Sequence, residues 1–320
     1  MMEAQENDDE VFVYMGGDQR VPSRVRRARI HKSVKIVRAA SFQFRTQLIS
    51  VEFHDGVEII EFGAFQCCSS LAGSIKLLGI RIVKAEAFYG CSDLTDVEFG
   101  DQLETVEEMA FCNCKSLRKI TMPSVRTIRK QAFVQCEQLT DLDLPEGSQT
   151  VGRRAFHNCQ RLERINMPLK DGLIDDDDNV FSGCLNLTSV NLVGINKTIA
   201  SLHLESWRND LKGEINRINQ ILPNTIDLHK TEAIQEWMGS VIRQLNHYKT
   251  EHNNVLKEAT TLLELALWKA NLDDNEGGVR GREGVRTTRR QRKRARKEIS
   301  ITSGASIVIK NVLPFLKLLE

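Results

Sequence analysis

The stretch that decides the fold is Ala110-Phe111-Cys112-Asn113-Cys114-Lys115-Ser116-Leu117-Arg118-Lys119-Ile120-Thr121-Met122-Pro123. Phe111, Cys114 and Leu117 step by three, and Ile120 and Met122 alternate with polar neighbours. Outward in both directions the same spacing returns. Phe42, Phe65, Phe88, Phe111, Phe133, Phe156 and Phe181 lie 23, 23, 23, 22, 23 and 25 residues apart. Three residues after the Phe stands Cys68, Cys91, Cys114, Cys136, Cys159 or Cys184, with Arg45 as the first unit's exception. Three further on every unit has a Leu, from Leu48 to Leu187. Ala precedes the Phe in five units, and five residues before it stand Val37, Ile60, Val83, Val106, Ile128 and Val151.

After each repeat Leu the chain alternates apolar and polar, as in Val51-Glu52-Phe53, Val97-Glu98-Phe99 and Leu142-Asp143-Leu144. Period-two alternation marks a half-buried strand. One such strand every 23 residues cannot close a domain alone. Stacked coil upon coil, the strands form a parallel sheet with ~4.8 Å between neighbours. The Phe, Cys and Leu positions then become ladders that fill the interior. The expected fold is a solenoid with a parallel β-sheet on its concave face and few regular helices in the repeats, followed by an α-helical C-terminal region.

The pattern Ala-Phe-x-x-Cys-x-x-Leu-x-x-Ile/Val-x-Leu/Phe, often followed by Pro as at Pro123, Pro145 and Pro168, resembles the BspA-type leucine-rich repeat. The resemblance covers residues 34–193 in seven units and implies a leucine-rich repeat solenoid there. Upstream, 1–10 is expected to be a disordered acidic N-terminus and 11–33 to supply capping coils, since terminal units are atypical. Two units depart from the period. After Leu71 the apolar pair Ile75 and Leu77 comes one residue late, and the last unit swells around Asp175–Asp178. Both are expected as loop insertions on the outer edge of a coil.

Across 320 residues, 44 Lys+Arg against 43 Asp+Glu leave a net charge of +1. No polyanionic or polycationic partner is implied for the chain as a whole. No run approaches the roughly 18 apolar residues of a membrane span, so no membrane association is expected. Met1 to Glu10 carries five acids, no base and no apolar stretch, unlike a secretory signal. The expected location is cytoplasmic or nuclear. All eight Cys fall between 67 and 184, without the facing Cys-x₂₋₄-Cys pairs of structural zinc. They read as a ladder of buried thiols in a reducing compartment, with no metal and no cofactor.

Binding on a solenoid uses the outward positions of its strands. One row reads Ser50, Ser74, Asp96, Lys119, Asp141, Arg164 and Ser189; the next reads Glu52, Lys76, Glu98, Thr121, Asp143, Asn166 and Asn191. Two readings are open: a self-neutralised solvated face, or a polar protein-docking surface. The candidate contacts are Glu52, Lys76, Asp96, Glu98, Lys119, Thr121, Asp141, Asp143, Arg164 and Asn166. Neither row holds an aromatic residue, which counts against base or sugar stacking.

Composition changes near residue 199. Leu204, Trp207, Leu211, Ile215, Ile218 and Leu222 step by three and four, an amphipathic helix that Pro223 ends. Ile234, Trp237, Val241, Leu245 and Tyr248 follow the same rhythm, as do Val255, Ala259, Leu262 and Ala266. One long helix and a hairpin near 247–254 are both open. Residues 199–272 are expected to form a helical cap or bundle, with a coiled-coil partner site or homo-oligomer as the other reading. Leu262 to Leu272, with the closing Ile307 to Leu319 segment, is similar to the tails of algal families of repeat proteins, a resemblance that implies no activity; an apolar C-terminal helix is expected over 299–320. Between them the basic linker 273–298 holds ten bases within 279–297, among them Arg289, Arg290, Arg292, Lys293, Arg294, Arg296 and Lys297. It reads as a solvated linker or as a nuclear-import or nonspecific nucleic-acid patch.

No Gly-rich phosphate loop follows a strand, and His247 and His252 are five apart rather than the four that shares a helical face. Asp175–Asp178 lacks the Gly and the closing Glu of a calcium loop. The chain is therefore expected to be a nonenzymatic scaffold for an unidentified protein partner, with import or nucleic-acid binding through 279–297 as the alternative.

Overall fold

The computed structural model describes residues 11–174, 179–202 and 204–276, the last seven of them by backbone only. Asp175–Asp178, the basic run 279–297 and the segment 299–320 lie outside the described residues. The strands run β1 (Val11–Tyr14), β2 (Arg27–Ile30), β3 (Ile36–Val37), β4 (Ser50–Glu52), β5 (Ile59–Ile60), β6 (Gly73–Leu77), β7 (Ile82–Val83) and β8 (Leu94–Phe99). They continue as β9 (Thr105–Val106), β10 (Lys119–Thr121), β11 (Thr127–Ile128), β12 (Asp141–Asp143), β13 (Thr150–Val151), β14 (Arg164–Pro168) and β15 (Ser189–Val193).

Six of the coils contribute two strands where the alternation alone predicts one. The longer strands form β1-β2-β4, β6-β8-β10 and β12-β14-β15, all parallel. The two-residue strands form a second parallel sheet in the order β13-β11-β9-β7-β5-β3. That second sheet uses the β-branched position five before each Phe together with its neighbour, as in Ile82-Val83 against Ile59-Ile60. Two adjacent β-branched residues favour extended backbone, and one buried face suffices to fix them.

A third ladder joins the turns. The Phe42 N–H donates to the Ala64 carbonyl at 2.8 Å, and Phe65, Phe88, Phe111 and Phe133 repeat the bond to Ala87, Ala110, Ala132 and Ala155. The carbonyls of the first six repeat Phe, Phe42 to Phe156, then each accept the thiol of the next coil, as Cys68 Sγ to Phe42 at 3.0 Å and Cys136 Sγ to Phe111 at 3.3 Å. All six repeat cysteines do this. The position thus needs a side chain small enough for the core that still offers a hydrogen, which a thiol is. Arg45, the exception, instead bonds the Val21 carbonyl at 2.7 Å.

The Phe rings stack with centroids 4.8 to 6.0 Å apart. The widest gap, Phe156 to Phe181, accompanies the 25-residue unit. Tyr14 ends the stack at the N-terminal side, tilted 60° to Phe42, with its hydroxyl 2.8 Å from Ser41 Oγ. β1 and β2 carry the long-strand register back through residues 11–30, with Ala28 opposite Val51. The extra residue after Leu71 is not an outer-edge loop. It falls at the start of β6, where Gly73 takes φ +77° and the β6–β8 register shifts: Gly73 faces Leu94 and Ser74 faces Asp96, passing over Thr95, after which Ile75 pairs with Val97.

Beyond β15 come α1 (Ile195–Ser201), α2 (Glu205–Ile221), two 3₁₀ turns and α3 (Lys230–Glu276). Pro223 lies in the first 3₁₀ turn, where it stops α2. α3 is one uninterrupted helix, which settles the choice left open by the sequence. Residues 11–196 and 212–242 make one compact unit, and 197–211 with 243–276 make another.

Within the first unit, residues 212–242 satisfy backbone groups that the last coil exposes. Lys230, only 3% exposed, donates through Nζ to the carbonyls of Cys184, Leu185 and Leu187 at 2.9, 2.8 and 3.0 Å. Thr231 Oγ1 accepts the Phe181 N–H, and Asn219 Oδ1 accepts the Val190 N–H of β15 at 2.8 Å. Burial pulls the Lys230 ammonium below its ordinary pKa. At the opposite end Gln19 performs the same service for β1, accepting from Met15 N–H at 2.6 Å and donating to the Val13 carbonyl at 3.2 Å. Both carboxamides cover strand edges that would otherwise template further pairing.

Candidate functional site

The candidate face is built by the longer strands. Their inward residues are buried: Val51, Ile75, Val97, Ile120, Leu142, Ile165 and Val190. Period-two pleating turns the residues on either side outward. The ladder places Lys119 opposite Asp96 and Arg164 opposite Asp141 in one row, with Lys76 opposite Glu98 and Asn166 opposite Asp143 in the other. Thr121 stands opposite Glu98. All the predicted residues therefore fall in two rows of one face.

Much of that face pairs with itself. Lys76 meets Glu98 at 3.3 Å, and Arg164 is ion-paired and hydrogen-bonded to Asp141. Asn166 donates to Asp143 and accepts from Asn191 at 2.9 Å. Such exposed pairs contribute at most ~1 kcal/mol each, so they order the surface more than they stabilise the fold. The threonine before each Asp adds a brace: Thr95 Oγ1 lies 2.6 Å from Asp96 Oδ2, and Thr140 Oγ1 lies 2.8 Å from Asp141 Oδ2. Among the described residues Lys119, exposed between those two carboxylates, has no ion-pair partner.

The sequence reading missed two members of the face. Arg27 and Arg29 of β2 continue the rows, opposite Ser50 and Glu52. Arg29 Nε meets Glu52 Oε2 at 2.5 Å, and its guanidinium holds the Glu52 carboxyl below the usual carboxylate range. The signal was present in Arg27-Ala28-Arg29-Ile30, which alternates like the later strands but lacks a repeat Phe. The seven residues of the basic patch, Arg289 to Lys297, lie outside the described residues.

Burial disfavours ionisation of six of the eight thiols. Burial pushes Cys68 up to about 12 and Cys112 up to about 11, and raises Cys91, Cys114, Cys136 and Cys159 as well. A thiol held protonated is a poor nucleophile and a poor metal ligand. Among the described residues no group of three or more His, Cys, Asp or Glu could hold a metal ion. None of the described helices is long and apolar enough to cross a membrane.

Six copies of the BspA type leucine rich repeat region match the chain over residues 23–124 and 81–209. No curated protein matches it. Among solved structures it is similar to a leucine rich repeat protein of T. pallidum, at 30% identity over 45% of this chain and 69% of that one, with a TM-score of 0.42. A leucine-rich repeat protein from Bacteroides ovatus is 24% identical over 52% of this chain and 54% of its own, with a TM-score of 0.34. The pneumococcal vaccine antigen PcpA is 16% identical over 52% and 55%, with a TM-score of 0.31. The chain thus spans little more than half the length of the last two.

Proposed function

The chain belongs to the BspA-type leucine-rich repeat family, and we propose that it is a nonenzymatic scaffold that binds a protein partner on the concave face of its solenoid. The observation that carries this reading is Lys119, an exposed cation at the centre of the face between two carboxylates held by Thr95 and Thr140. Pre-set charges of both signs, with no aromatic among them, suit a polar protein surface of complementary pattern. They do not suit phosphate tracking, which needs one sign, or base stacking, which needs rings.

The test is a crosslinking capture from native cell extract, with the intact chain beside a Lys119→Glu, Arg164→Glu variant. Both residues are exposed, so the fold should survive the exchange. Partners held by the intact chain and lost by the variant support the face. Capture that ignores both substitutions but disappears when Arg289 to Lys297 are neutralised refutes it.

That outcome would favour the second reading, a nuclear protein using 279–297 for import or nonspecific nucleic-acid binding. Its support is the ten bases in 19 residues opposed by Glu283 alone. Under it, binding to arbitrary DNA falls steeply as salt rises. A cytoplasmic or nuclear location is part of both proposals.

A further inference from the structure

The far part of α3 carries several exposed apolar side chains, Leu267 (56% exposed) on one side of the helix and the rest toward the other. Val255, Leu262, Leu265 and Trp268 are 37, 51, 55 and 63% exposed. On the adjoining flank of the same helix, about 100° round from the stripe Val255, Leu262 and Leu265, Ala259 is buried, and Leu256, Leu263 and Ala266 are half-buried. The exposed residues are therefore not the stripe that holds this unit together. Val255, Glu258, Leu262, Leu265 and Lys269 step by 3, 4, 3 and 4, which aligns them as the a and d positions of two heptads. Glu258 and Lys269 are exposed too, so an acid and a base bracket the two leucines.

We propose that this stripe is the seam of a homodimer in which a second copy of the chain packs antiparallel along α3. Antiparallel pairing centred between Leu263 and Glu264 sets Leu262 of each copy against Leu265 of the other. The same centre sets Glu258 against Lys269 at both ends of the seam. A parallel pair in register brings Glu258 against Glu258 and Lys269 against Lys269, two like-charge contacts that oppose it. Charge thus selects both the partner, an identical helix, and its direction. Trp268 flanks the seam and covers its edge. The seam is only about two heptads long, so association is weak, in the micromolar range. A dimer of this kind makes the scaffold bivalent and raises its avidity for any repeated partner.

Sedimentation equilibrium on the full chain, between about 5 and 200 µM at low salt, tests this. The apparent mass should climb from one chain toward two. Glu258→Lys and Lys269→Glu should each weaken association about ten-fold or more, because each sets like charges face to face at both ends. The double exchange should restore it, since the pairs are complementary again. All three positions of change are exposed, and circular dichroism should show unaltered helix. A single-chain mass at every concentration overturns the proposal. So does a dimer that tolerates Leu262→Asp, or a double exchange that stays as weak as the single ones.

Discussion

Thr231 Oγ1 accepts the Phe181 N–H at 2.9 Å, taking the place that the Ala155 carbonyl fills for Phe133 at 2.8 Å. The last coil has no successor, so its ladder bonds must end on something else. A side chain 50 residues onward supplies the missing acceptor, and Lys230 beside it supplies the missing donors.

Removing these partners should therefore cost stability out of proportion to one side chain. Lys230→Met leaves three carbonyls without their donor, and a loss of about 3 kcal/mol is expected; Thr231→Val orphans one buried N–H and should cost about 1–2 kcal/mol. Urea unfolding measures both. A chain ending at residue 198 lacks Asn219, Lys230 and Thr231 together and should unfold at lower urea than either variant.

The thiol ladder predicts a steep alkaline limit. Burial raises Cys68, Cys91, Cys114, Cys136 and Cys159 above the ordinary 9.0. A raised acid contributes stability that is whole below the unfolded pKa and is lost as pH rises above it, because only the unfolded thiol releases its proton. Between about pH 9 and pH 12 each such thiol should remove about 1 kcal/mol per pH unit. Melting temperature against pH should fall sharply above pH 9, and Cys136→Ala should shallow that slope by about one proton.

Native thiol titration should separate one cysteine from the rest. Cys67 is partly exposed, whereas Cys68, Cys91, Cys112, Cys114, Cys136, Cys159 and Cys184 are buried. A charged disulfide reagent should react first with a single thiol at neutral pH, and with all eight in denaturant. Cys67→Ser should abolish the fast phase.

Coil spacing should be sensitive at Gly79. A Cβ there would lie 1.8 Å from the Asp55 carbonyl oxygen of the preceding coil, a contact no side-chain motion relieves. Gly79→Ala should cost more than about 3 kcal/mol. Gly147→Ala, with nothing within 4 Å of its Cβ, should be neutral or slightly stabilising.

The face shows how far residue pattern reaches. Lys119 and Asp96 could be set in one row from the sequence because a strand's side chains alternate strictly and the 23-residue period carries the register from coil to coil. Arg29 and Glu52 could not, because the first coils lack the Phe that marks the period. The second sheet was written in pairs such as Ile59-Ile60, yet two residues are too few for a periodicity to show.

By itself the sequence determined the solenoid, its ladders and the outward rows, because a repeat leaves each coil only one way to bury Phe, Cys and Leu against its neighbour. Tertiary structure alone decided how the ladder ends. Phe181 and Thr231, or Cys184 and Lys230, share no spacing rule. They meet because an unpaired buried backbone group is costly, and the nearest chain able to satisfy it arrives from another element.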